Sequence, residues 1–215
     1  MTYLQGEWRI YNGNHRLFDL FADLFVITAS IAKAFNLTAG ASVTYAIGDH
    51  ANFECAQFDL EARLPLVGPI ELVLQNLKPN SIAIGFEKNT IQSDASTPAQ
   101  GASISTVLTH VISPIFTSFY EDHVPWFLAN VEGDKSKWPS PWGLGRLIRN
   151  AMSHGGALNI DNPNAPIIAW YGLSYGPNDN GKRVIGTDLS FADLLILMIE
   201  MSDDLDKRSC PFPLP

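Results

Sequence analysis

Arg146, Arg149, Asn150, Ser153 and His154 fall within the short stretch RLIRNAMSHGG, residues 146–156. Arginine presents a planar fork of donors that matches phosphate and stays charged at any working pH. Histidine titrates near neutrality and can take or give a proton. Asn150 lies one helical turn before His154, where its amide can orient the ring or a ligand. Together these types point to phosphate-ester chemistry. RNA suits them, because its own 2′-hydroxyl is the nucleophile, and a protein that removes that proton and stabilises the phosphorane charge needs no metal. The plain alternative is a helix end with solvated arginines and a histidine that meets the negative end of the helix dipole.

A helix over Pro141–His154 must position these groups. Ser140 followed by Pro141 reads as an N-cap and first-turn pair, and Gly155–Gly156 as the stop. At about 100° per residue, Arg149, Ser153, Arg146, Asn150 and His154 share an arc of about 140°. Leu144, Leu147, Ile148, Ala151 and Met152 fill the opposite side. The polar face carries two arginines and no acid of its own. Lys135 and Lys137, in the preceding loop, could add positive charge near Arg146. Gly143 and Gly145 do not make a phosphate loop, because no Lys-Ser or Lys-Thr follows them.

The remaining elements follow from periodicity. Residues 15–38 place Leu17, Leu20, Phe21, Leu24, Phe25, Thr28, Ile31 and Phe35 at helical spacing, with Asn12 or Asn14 as cap and Gly40 past the end. Residues 51–63 and 65–77 have helical possibilities, with Pro65 as a breaker or a start. Residues 80–86 read as a short extended piece or a loop, and 89–101 as a loop. Residues 102–130 predict a long helix, kinked at Pro114 and broken near Pro125. Residues 157–160, 167–175 and 182–185 predict strands of a small ribbon spanning about 157–186. Ser190 with Asp193 resembles a capping box that opens a last helix to about Asp204, followed by a loose tail over 205–215. The expected fold is mainly α: one antiparallel helical bundle across 1–215, with its core at about 15–204 and a small β-ribbon inserted between the last two helices.

Composition narrows the function. Lys plus Arg number 14 and Asp plus Glu 22, so the net charge is 14 − 22 = −8, which argues against a general nucleic-acid coat or a membrane-surface protein but leaves room for one basic patch. The start, MTYLQGEWRI, lacks the pattern of a signal peptide, and Leu17–Phe35 is interrupted by Asp19, Asp23 and Lys33. Cys55 and Cys210 stand far apart, in no metal-like spacing. A reduced, cytoplasmic protein without membrane or cofactor is expected. His110, His123, Glu121 and Asp122 could be imagined around a metal, but no recognised ligand spacing is present, and His15 and His50 stand alone. Trp126, Trp138 and Trp142 could stack on bases, with packing the default reading.

Arg149-Asn150-Ala-Met-Ser-His154 resembles the Arg-Asn-x-x-x-His signature of the HEPN superfamily. That resemblance implies a helical bundle and a metal-independent endoribonuclease. Arg149 would hold phosphate, His154 would act as acid or base and Asn150 would orient, with Arg146 and Ser153 as further substrate-binding residues. It implies a homodimer whose two motifs line one cleft. It also implies a role as a toxin or antiviral component, RNA as substrate and an antitoxin-like protein as partner. Some HEPN proteins lack nuclease activity, so the resemblance equally admits a non-catalytic nucleotide- or protein-binding dimerisation module. The ribbon and the stretch 41–98 depart from the family pattern.

Overall fold

The structure is a computed structural model and describes residues 4–38, 46, 48–68, 75, 77–89 and 104–214. The chain divides into two compact units, Met1–Leu108 and Thr109–Pro215.

The first unit overturns the expectation of a mainly α bundle. It holds strand β1 (Glu7–Asn12), helix α1 (Phe18–Thr38) and strands β2 (His50–Glu54), β3 (Leu60–Pro65) and β4 (Ser81–Lys88). The strands form one antiparallel sheet in the order β1-β4-β3-β2. With the two-stranded sheet of the second unit, this makes the chain an α+β protein. Leu60, Ala62 and Leu64 are buried in alternation along β3, and Ile82, Ile84 and Phe86 along β4. A period of two puts such residues on one sheet face, so the helical reading of 51–63 fails. Of 65–77, Pro65 ends β3, while 69–74 and 76 lie outside the described residues, as do Gly40 and nearly all of the 89–101 loop.

Helix α1 packs on β4. It buries Phe18, Phe21, Leu24, Phe25, Thr28 and Ala29, which recur at the three- and four-residue steps of one helical stripe. Asn12 closes β1 rather than capping the helix, and His15 Nδ1 accepts from the backbone N–H of Leu17 at 3.1 Å. On the other sheet face Gly85 leaves room for the Trp8 ring: a Cβ there would lie 2.8 Å from Cζ2 of Trp8. Beside it Glu61 is wholly buried, and its Oε1 accepts from Arg63 Nε at 2.8 Å and from Asn52 Nδ2 at 3.2 Å.

The second unit takes up helix α2 (Ile104–Asn130) from Thr109 onward, then helix α3 (Ser140–Ser153), strands β5 (Ile168–Trp170) and β6 (Leu173–Tyr175), and helix α4 (Phe191–Lys207). Helix α2 is continuous through both Pro114 and Pro125, so the expected break at Pro125 is absent. The hairpin between α3 and α4 turns at Tyr171, whose φ is +49°, within what the sequence suggested was a single strand. The 157–160 segment instead pairs with the chain near 183, through a bridge between Ala157 and Arg183.

Helix α4 is the centre of this unit. Every residue from Phe191 to Ser202 is buried. Its start is the expected capping box: Ser190 accepts from the Asp193 N–H, and Asp193 Oδ2 accepts from the Ser190 N–H at 2.8 Å. Helix α3 lies close against it because Gly145 has no side chain; a Cβ would sit 2.7 Å from Met201 Sδ. Leu205 and Cys210 are also buried. Among the described residues no helix is long and apolar enough to cross a membrane.

Candidate functional site

Helix α3 buries Trp142, Leu144, Leu147, Ile148 and Ala151 and turns its polar stripe outward, as its periodicity predicts. Ser140 is not its N-cap. That place falls to Pro139, and the Ser140 hydroxyl donates to the carbonyl of Ala169. At the other end His154 is the C-cap, and its N–H donates to Ala151 O.

Helix α2 runs antiparallel beside α3. Thr117 Oγ1 contacts Met152 Sδ at 3.7 Å, and one turn further along α2 Glu121 forms an ion pair with Nε of Arg149. The polar face of α3 therefore meets an acid after all, supplied by a neighbouring helix. Nε of Arg149 lacks the alignment of a hydrogen bond in this pair, while its Nη1 donates to Asn150 Oδ1 at 3.4 Å. Both side chains remain substantially exposed, 35% for Arg149 and 45% for Glu121, so the pair is worth well under about 1 kcal/mol. Beneath it the Tyr120 phenol is pushed up by burial, against the opposing pull of the Arg146 and Arg149 charges.

On the other flank of α3 a cleft of about 440 Å³ opens between Lys135, Arg146, Asn150, Asn159, Asp161 and Asn162. Nε of Arg146, like that of Arg149, is buried and makes no hydrogen bond, but Arg146 also has no carboxylate partner among the described residues, whereas Arg149 has Glu121. The far wall is the segment after the helix, and it is fixed from behind: Leu158 N–H donates to Lys182 O at 2.9 Å, and Ile160 N–H to Asn180 Oδ1 at 2.9 Å. Asp188 braces the same region, accepting from the Tyr175 hydroxyl at 2.8 Å and pairing with Lys182 Nζ at 2.7 Å.

Asn159 joins the cleft to the histidine. Its Nδ2 lies 3.1 Å from Nε2 of His154, and the same residue lines the cleft. An amide N–H can only donate, so a hydrogen bond here has Nε2 as its acceptor. Asn150 likewise belongs to both the cleft and the Arg149 cluster. Of the five residues read from the sequence, Arg146 and Asn150 line the cleft, while Arg149 and His154 reach it only through Asn150 and Asn159. Ser153 is exposed at the helix end, with no role in this geometry.

The other chemical candidates have structural places. Trp138 and Trp142 are buried around Phe127, with Trp142 stacked on it at 4.3 Å. Asp122 accepts from Ser118 at 3.4 Å, and buried His123 donates from Nδ1 to Phe119 O at 2.8 Å. Among the described residues no group of three His, Cys, Asp or Glu side chains gathers as a metal site. Cys55 and Cys210 are buried and are not joined in a disulfide. Asn159, Asp161 and Asn162 carry no motif, and the only sequence signal for them was their closeness to the end of α3. No protein family, curated protein or solved structure matches this chain.

Proposed function

We propose that the second unit is a metal-independent endoribonuclease whose centre is the polar face of α3. The observation that carries this reading is Asn159, which both lines the cleft of Arg146 and Asn150 and holds the His154 ring at 3.1 Å. Phosphate-binding cations and a proton acceptor thus share one rim. The 2′-hydroxyl of RNA displaces the Asn159 amide at Nε2 of His154 and gives up its proton there. Its oxygen forms a bond to phosphorus as the bond to the 5′-oxygen breaks. Arg149 exchanges its weak partner Glu121 for the phosphate, and the fork stabilises the charge that builds on the non-bridging oxygens. The leaving 5′-oxygen takes a proton from water or from the histidine of a second copy, which is the chemical reason to expect a homodimer.

The test is single-stranded RNA incubated with the protein in EDTA. Expected are fragments with 2′,3′-cyclic phosphate and 5′-hydroxyl ends, intact DNA, and loss of cleavage in His154→Ala. Dependence on magnesium, or 5′-phosphate ends, overturns the mechanism. The Glu121–Arg149 pair favours one other reading, a nucleotide- or protein-binding dimerisation module without turnover, since it neutralises the motif arginine. RNA that is bound but not cut selects that reading.

A further inference from the structure

We infer that the cleft beside α3 is a subsite for a guanine nucleotide, with Arg146 and Lys135 on its phosphate and Asp161 on its base. The inference rests on the RNA reading in naming a nucleotide as the ligand class. It goes beyond that reading in naming the base and the residue that selects it, and in adding Lys135 to Arg146 on the phosphate.

Three observations carry it. First, Nε of Arg146 is buried with no acceptor, a state that costs free energy unless a ligand supplies one. Lys135, on the same cleft, has no carboxylate partner among the described residues, whereas Lys137 pairs with Asp134 at 3.3 Å. Two uncommitted cations on one concave surface call for an anion. Second, the volume of about 440 Å³ falls in the range of small-ligand sites and exceeds what a bare phosphate needs. Third, Asp161 also lines the cleft. A site for phosphate alone gains nothing from an acid, which repels it. A ligand that bears an anion at one end and paired donors at the other uses both. Guanine fits, because its N1–H and its exocyclic amine lie side by side and match the two oxygens of a carboxylate, and no other common base has that pair of adjacent donors. Asn159 and Asn162 line the same cleft, and their side-chain amides are of a type that can donate to O6 and N7.

Isothermal titration of the whole protein with 5′-GMP, 5′-AMP, 5′-CMP and inorganic phosphate tests this. GMP is expected to bind at least about 10-fold more tightly than AMP or CMP, the range of one good bidentate contact. Asp161→Asn brings GMP down to the AMP level and leaves AMP within about 2-fold. Arg146→Gln weakens every nucleotide by about 10-fold or more. Where that variant fails a thermal-unfolding check, Lys135→Glu on the exposed rim carries the same arm. Equal binding of the three nucleotides, a GMP preference that survives Asp161→Asn, or no GMP binding at about 1 mM overturns the inference. GMP binding as expected without RNA cleavage removes the ribonuclease reading alone; RNA cleavage without GMP binding removes the subsite alone.

Discussion

Arg63 in the sheet unit and Arg146 in the helical unit are both partly buried arginines, and they meet opposite fates. Arg63 contacts Glu61 at 2.7 Å and lies 3.8 Å from Glu87, so its fork is committed to its own chain. Arg146 has a buried donor and no acceptor. The sheet supplies carboxylates at fixed cross-strand steps: Glu54, Glu61 and Glu87 stand in register across three strands, and an arginine set among them is neutralised where it lies. Helix α3 has no acid on its polar face, and the one acid that α2 sends across reaches Arg149 only. An arginine is free for a ligand when neither its own element nor its neighbours can satisfy it, which is a property of the packing and not of the residue.

Removing the committed arginine tests one side of this contrast and has the largest expected effect. Arg63→Ala leaves Glu61 buried with Asn52 as its remaining side-chain donor and is expected to cost about 3 kcal/mol in urea unfolding. Glu61→Leu combined with Arg63→Leu should recover most of that loss, because an apolar pair carries no desolvation penalty. A single variant as stable as wild type would mean that Arg63 is as uncommitted as Arg146.

Asp188→Asn asks whether the helical unit also contains a closed network. Burial alone would raise this carboxyl, yet the hydrogen bonds from Lys182 and Tyr175 together hold it below its usual value. Its folded value is the lower one, so the carboxylate stabilises the fold above the ordinary carboxylate range, and that contribution fades as pH falls through the depressed value. The variant is expected to lose about 1–2 kcal/mol at neutral pH. Its deficit should shrink below about pH 4. Thermal unfolding across pH measures both, and a deficit that is constant with pH would show that the charge plays no part.

The smallest effect on stability sharpens the contrast most. Glu121→Gln frees Arg149, changes stability by less than about 1 kcal/mol, and steepens the salt dependence of RNA binding by about one unit of log–log slope. Fluorescence anisotropy at several salt concentrations reads it. An unchanged slope would mean that Glu121 does not compete with the RNA backbone for Arg149.

Much of α3 was legible before the structure, because a 3.6-residue period shows itself in a single amphipathic helix. The box at Ser190 and Asp193 was legible because it is local. The sheet was not. The alternation Leu60-Ala62-Leu64 spans only a few residues and ends at a proline, and β1 exposes Trp8 at 42% and Ile10 at 65%, which erases the expected pattern of buried and exposed positions. Nor was the cleft. The spacing of Arg146 and Asn150 located one wall, but Asp161 and Asn162 follow it with no periodicity, and Glu121 comes from a different helix. Which arginine is neutralised depends on long-range packing, and no window along the chain contains it.

Helix α4 has a consequence for synthesis. It is covered on every side from Phe191 to Ser202, and the ribosome makes it after α2, α3 and the hairpin of β5 and β6. Until it emerges, Gly145 has no Met201 to lie against, and Trp170 Nε1 lacks the Glu200 carboxylate to which it donates at 2.7 Å. With 14 residues, α3 is too short to be firmly helical alone. The arginine-bearing face is therefore assembled only as this last helix docks, and a nascent chain stalled before residue 191 carries the motif without the surface that presents it.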